Sequence, residues 1–184
     1  MSREVIRRMQ YRDVGQVAAI EAAVFPRPWS RESFRREVRE NAVARYLVAE
    51  RDGEILGYAG AWIVIDECHI TNIAVKEAWR GQGWGRRLLE ALMQYAGNLG
   101  AAWADLEVRD SNERAQRLYT RAGFVSIGRR KRYYDDNGED AFLMVCQELP
   151  AADPDFEEEP VLPEEDPADR RDGSAEIREE GEKA

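Results

Sequence analysis

The sequence predicts an α/β domain built on a central mixed sheet with helices on both faces, closed by an acidic tail. Three observations lead there. Short β-branched runs alternate with stretches of helical periodicity, the pattern of a layered α/β architecture. Three glycines, Gly81, Gly83 and Gly85, stand between one such run and a leucine-rich helical pattern. Composition then changes abruptly near Pro150.

The elements follow in order. Glu4 to Met9 predicts a first strand, and Asp13 is placed to cap a helix carrying Val17, Ile20 and Val24 on one face, ended by Pro26 and Pro28. Ser30 opens a second, arginine-rich helix through Val38. Tyr46–Ala49 and Ile55–Ala59 flank Asp52-Gly53, a strong hairpin signal. A long strand to Ile65, a turn at Asp66-Glu67 and a strand ending at Val75 deliver the chain to the glycines. Leu88, Leu89, Leu92, Met93, Ala96 and Leu99 then recur at helical spacing. After Gly100, Ala102–Val108 predicts a strand, Asp110 or Ser111 caps a helix stopping at Gly123, and Phe124–Ile127 and Ala141–Val145 close the sheet. The crossover rule makes the helix-linked strands parallel.

Residues 1–150 suit one domain of ordinary size. Residues 151–184 hold 14 acidic against 4 basic residues with four prolines, too little apolar surface to fold, so this segment is expected to be a disordered extension. The body has 22 acidic and 23 basic residues, and the formal charge of −9 therefore comes from the tail. Arginine clusters such as Arg129-Arg130-Lys131-Arg132 are too scattered for a nucleic-acid face. Cys68 and Cys146 lie in no metal-binding spacing and are expected to be reduced thiols in strands, with no metal. Met1–Arg12 is charged throughout, and no apolar run approaches the ~20 residues that span a bilayer. A soluble, cytoplasmic monomer is the simplest expectation.

The glycine cluster is predicted at a helix N-terminus, where unpaired N–H groups and the helix dipole favour an anion. It reads as a phosphate cradle in preference to a plain tight turn. A P-loop is excluded because no Lys-Ser/Thr pair follows, and the dinucleotide fingerprint because Arg86 occupies its last glycine position. What remains is Arg80-x-x-Gly83-x-Gly85.

This motif resembles the acetyl-CoA pyrophosphate site of the GNAT acetyltransferases, and the element order is the GNAT order over nearly all of residues 3–149. Within that family the body is most similar to the RimI-type enzymes, which acetylate the N-terminal alanine of a small-subunit ribosomal protein. The likeness is carried by Phe25-Pro26-x-Pro28-Trp29-Ser30, Asn72-Ile73-Ala74-Val75, Leu106-Glu107-Val108-Arg109-x-x-Asn112, Leu118-Tyr119-x-x-x-Gly123-Phe124 and Arg132-Tyr133-Tyr134 with Glu139-Asp140-Ala141. The resemblance implies the acyl-CoA N-acyltransferase fold and direct transfer from acetyl-CoA in a ternary complex. It places Ile73, Ala74, Val75, Arg80, Gly81, Gln82, Gly83, Trp84, Gly85 and Asn112 on the cofactor; Phe25, Trp29, Tyr133 and Tyr134 are either core or the lining of a peptide cleft, and the polar and charged residues around Tyr134 favour the cleft. Glu107 becomes the general base, Tyr119 the general acid for the departing thiolate, and the N–H of Ala74 or Val75 the oxyanion donor.

Each position also has a plainer reading. Tyr119 shares a helix face with Ala115 and Ala122, alternation alone turns Glu107 to solvent, and Asn112 can cap its helix. His69, the only histidine, is expected on a strand surface. A protein α-amine, with a pKa of ~7.7–8.0, needs only a modest base, which favours an N-terminal substrate such as that of a ribosomal protein. Lysine side chains or small amines are the alternative substrates. A non-catalytic acyl-CoA-binding module is the alternative of another class, disfavoured because a binder needs neither Glu107 nor Tyr119.

Overall fold

In the strand centred on Tyr58, every residue from Ile55 to Ala61 is buried, because helices cover both faces of the sheet there. The computed structural model describes residues 2–162. Its strands are β1 Glu4–Arg8, β2 Ala44–Arg51, β3 Glu54–Val64, β4 Glu67–Val75, β5 Trp103–Arg109, β6 Val125–Arg130 and β7 Ala141–Cys146. The helices are α1 Val14–Val24, α2 Arg31–Arg39, α3 Trp84–Asn98 and α4 Glu113–Arg121, with single 3₁₀ turns at Tyr11–Asp13 and Glu77–Trp79. The sheet runs β1-β2-β3-β4-β5-β7-β6. All its neighbours are antiparallel except β4 and β5.

Strand β3 divides the interior in two, and a bulge opposite Ala49 and Glu50 puts Leu56 and Tyr58 on opposite faces. Leu56, Ala59 and Ala61 join the leucine face of α3, together with Tyr119 and Phe124 from the α4 side. Ile55 and Tyr58 join Val14, Val17 and Ile20 of α1 and Phe34 of α2, whose ring meets Tyr46 and Tyr58 edge-on at 6.0 and 5.6 Å. The mixed sheet with two helical layers is thus as the sequence predicts. The hairpin turn falls on Asp52 and Gly53, both at positive φ, and Cys68 and Cys146 are buried free thiols.

Local details differ from expectation. Asp13 occupies the N-cap position of α1 without capping it. Its carboxylate accepts instead from the Arg7 guanidinium at 2.7 and 2.9 Å and from the Gln10 N–H at 2.8 Å. Asp110 and Ser111 do not cap α4 either. Asn112 does, accepting from the Ala115 N–H at 3.1 Å, while Asp110 pairs with Arg129. The β3–β4 turn is Ile65-Asp66, one residue early, because the register pairs Val64 with Glu67.

The composition-based boundary at Pro150 also omits a docked segment. Residues 151–162 run across α3 toward the β1 edge, where Phe156 meets Tyr95 edge-on at 5.3 Å and Glu158 receives Arg45 at 2.6 Å. Leu162 N–H reaches Gln10 Oε1 at 2.8 Å. The remainder of the expected tail, 163–184, lies outside the described residues.

Candidate active site

The site begins where the sheet opens. Glu67, Cys68 and His69 pair in parallel with Trp103, Ala104 and Asp105, and the pairing ends there. Beyond His69, β4 keeps only β3 and β5 keeps only β7, leaving a wedge between them. Lys76 N–H donates to Leu56 O at 2.8 Å, which fixes the parity of the β3–β4 ladder. Ala74 N–H therefore faces Tyr58, while the N–H groups of Ile73 and Val75 face the wedge. Of the two candidate donors, only Val75 points into the opening.

The wedge continues into a cleft of about 570 Å³ that ends at the glycine turn. Gly81 and Gly83 lie at φ +76° and +83°, a conformation that side chains disfavour. Gly83 is the N-cap of α3 and offers no side-chain acceptor, and the first helical bond runs from Arg87 N to Gly83 O at 3.0 Å. The N–H groups of Trp84, Gly85 and Arg86 therefore have no helical acceptor. Arg80 lines the turn and donates to Val75 O at 3.2 Å. Gln82, expected in the cofactor set, is absent from the cleft lining and donates to Ala78 O at 3.2 Å.

On the opposite wall stand Tyr119, Asn112 and an arginine stripe, Arg114, Arg117 and Arg121, at one-turn spacing on α4. With Arg80 and Arg86, five arginines line the cleft against one acid, Glu90. The stripe's spacing of three and four residues is visible in the sequence. An open glycine turn at a helix N-terminus, ringed by guanidinium groups and leading to unpaired strand donors, fits a polyphosphate ligand carrying an acyl arm. Tyr119 is 8% exposed, and burial, reinforced by Tyr134, raises its hydroxyl above the ordinary tyrosine range. It remains protonated at neutral pH.

Glu107, on β5, does not line the cleft and does not face open solvent. Its side chain is 12% exposed, with one oxygen 3.4 Å from Arg130 Nε and the other 3.4 Å from His69 Nε2. His69 is in turn held at Nδ1 by Asp105 at 2.7 Å. The only histidine is thus part of a carboxylate cluster at the last β4–β5 rung, a contact no local sequence pattern announces.

None of the four aromatic residues expected at a peptide cleft lines the cleft that ends at the glycine turn. Trp29 packs on Phe34 at 5.7 Å, and its N–H donates to the buried carboxylate of Glu21 at 3.0 Å. Glu21 also receives Tyr58 and, at 3.5 Å, Asn72 of β4, so the Phe25–Trp29 segment is tied to the wedge. The sequence signal for Glu21 is a carboxylate on the apolar Val17–Ile20–Val24 face, the mark of a satisfied buried acid. On the other side Tyr133 and Tyr134 meet edge-on at 5.1 Å, and Arg109 lies 3.8 Å over the Tyr134 ring. Burial pushes the Tyr134 hydroxyl up to about 12 despite Arg109.

The split parallel pair thus opens onto a cleft that ends at a glycine turn and a helix N-terminus. Residues 14–124 match the Acetyltransferase (GNAT) family, and the chain belongs to that acetyltransferase family, whose acyl donor is acetyl-CoA. A Bacillus subtilis protein bearing the provisional name ribosomal protein bS18-alanine N-acetyltransferase is 45% identical over 143 residues, 78% of this chain and 95% of that protein. The Escherichia coli ribosomal protein bS18-alanine N-acetyltransferase is 35% identical over 76% of this chain and 95% of its own length. The crystal structure of the Escherichia coli ribosomal-protein-S18-alanine N-acetyltransferase superposes with a TM-score of 0.73 at 30% identity, covering 84% of this chain and 99% of that one. Among the described residues no helix is long and apolar enough to cross a membrane.

Proposed function

We propose that the protein acetylates the N-terminal amine of a protein, with a small first residue such as alanine and a ribosomal protein as its substrate. The observation that carries this reading is the cleft that runs from the β4–β5 split to the glycine turn with buried Tyr119 on its wall, beside the strand that bears Glu107. The names of its relatives support the substrate class.

Acetyl-CoA, when bound, supplies an acetyl thioester and a thiolate leaving group. The chain does the rest. Gly81–Gly85 and the first turn of α3 take the diphosphate, with Arg80 and the α4 arginines as counter-charge. Asn112 spends its Oδ1 on the helix cap and keeps its Nδ2 for the pantetheine arm. Val75 N–H holds the acetyl carbonyl oxygen. Glu107 draws the proton from the incoming amine through a water, and Tyr119 gives its proton to the departing sulfur. Phe25 and Trp29 on one side and Tyr133 and Tyr134 on the other form the slot for the first residues of the peptide.

The test is mass spectrometry with acetyl-CoA and two peptides, one starting with free alanine and one Nα-blocked with an internal lysine. Acetylation of the free-alanine peptide alone is expected; acetylation of only the blocked peptide would move the activity to lysine side chains.

A further inference from the structure

We propose that His69 carries protons between Glu107 and solvent during acetyl transfer, held for that task by Asp105. This rests on Glu107 acting as the base. At neutral pH an α-amine with a pKa of ~7.7–8.0 arrives mostly as ammonium. As its nitrogen bonds to the acetyl carbon and the carbon–sulfur bond breaks, it loses two protons. One accounts for the proton that Tyr119 places on the thiol, and the other must leave the enzyme. Glu107 is the first stop for that proton and, at 12% side-chain exposure, is poorly placed to release it directly.

Two side chains flank the Glu107 carboxylate, and only one can take a proton. Arg130 Nε lies 3.4 Å from one oxygen, but a guanidinium has donors only. His69 Nε2 lies 3.4 Å from the other. In the neutral ring Asp105, 2.7 Å from Nδ1, accepts the Nδ1 hydrogen, which leaves Nε2, 3.4 Å from a Glu107 oxygen, as the nitrogen that can take a proton. When Nε2 takes the proton, Asp105 faces the resulting imidazolium. Side-chain exposure rises from 12% at Glu107 to 26% at Asp105 and 35% at His69, a path from the split toward water.

Among the described residues, no other group found against the imidazole or Glu107 is a competing base. From β3, Trp62 meets the imidazole ring at 6.1 Å and is neutral. Cys68, within reach of Asp105, is a thiol that burial pushes up to about 12, so it stays uncharged. Tyr133 and Tyr134, in the field of Glu107, are both raised by burial and remain protonated.

The experiment compares wild type, His69→Ala, Asp105→Asn and Glu107→Gln with the free-alanine peptide, with and without added imidazole, over pH 6–9. In His69→Ala, kcat should fall at least about tenfold while KM for acetyl-CoA stays within about twofold, and imidazole should restore part of the loss. Asp105→Asn should lower kcat less and shift its pH profile. Imidazole should not rescue Glu107→Gln. Turnover of His69→Ala within about twofold of wild type would overturn the proposal, as would a folded His69→Ala whose loss imidazole leaves untouched. Full turnover in Glu107→Gln would instead remove the underlying base assignment, so the two failures are distinguishable.

Discussion

Tyr58 of β3 donates its phenolic proton to the buried carboxylate of Glu21 on α1. The same carboxylate, in a residue 2% exposed, also receives the Trp29 N–H. Replacing Glu21 with Ala strands these donors in a dry interior and is expected to cost about 2–4 kcal/mol. Glu21→Gln should cost less, since one acceptor survives. Thermal unfolding measures both, and a Glu21→Ala loss below about 0.5 kcal/mol would show that water replaces the carboxylate.

Tyr119→Phe removes a hydroxyl and almost no volume. Turnover should drop about a hundredfold with acetyl-CoA affinity nearly intact, since the ring packing on Phe124 at 5.9 Å is retained. Because burial holds this hydroxyl above the ordinary value of about 10, the wild-type enzyme should keep its acid throughout pH 6–9. Steady-state kinetics with isothermal titration of the ligand separates the two effects. Equal losses in turnover and affinity would make Tyr119 a packing residue.

Gly83→Ala tests the cradle. A Cβ there meets nothing within 4 Å, so the free protein should lose only the left-handed backbone penalty, about 1–2 kcal/mol. Acetyl-CoA, which must approach that backbone, should bind at least about tenfold more weakly. A large stability loss with unchanged affinity would place the phosphates elsewhere.

Glu139 ties the loop bearing Tyr133 and Tyr134 to the end of β5. Its carboxylate accepts from the Ser111 N–H at 2.6 Å, and hydrogen bonds from Ser111, then Asn137 and Arg109, hold its pKa at about 2. A carboxyl depressed on folding stabilises the fold above its unfolded value and gives that up as pH falls toward its folded value. The loss should run from about 4.5 down to about 2. The Tm gap between wild type and Glu139→Gln should be constant above pH ~5 and close within that window. A gap independent of pH would contradict the assignment.

Phe156 and Glu158 fasten the segment after Pro150. Phe156→Ala should cost about 1–2 kcal/mol by uncovering the ring of Tyr95. Glu158→Gln should cost less than about 1 kcal/mol, because its partners Arg8 and Arg45 lie near the surface. Unfolding of the two variants measures both, and no change in either would mean the segment contributes nothing to the fold.

Element order, helix spans, the Asp52-Gly53 hairpin and the glycine cradle were set by the sequence itself. Each rests on an interaction spanning a few residues: a repeat of 2 or 3.6, a cap, or a positive φ that glycine tolerates. The position of Tyr119 on the inner face of α4 was legible for the same reason. Tertiary structure alone decided where β4 and β5 part after His69 and Asp105, residues far apart in the chain. Tertiary structure alone also decided the direction of Val75 N–H, the enclosure of Glu107 between His69 and Arg130, and the union of Glu21 with Tyr58. Alternation turned Glu107 toward solvent on paper because a strand's period says which face a residue takes, but not what a distant segment lays over it.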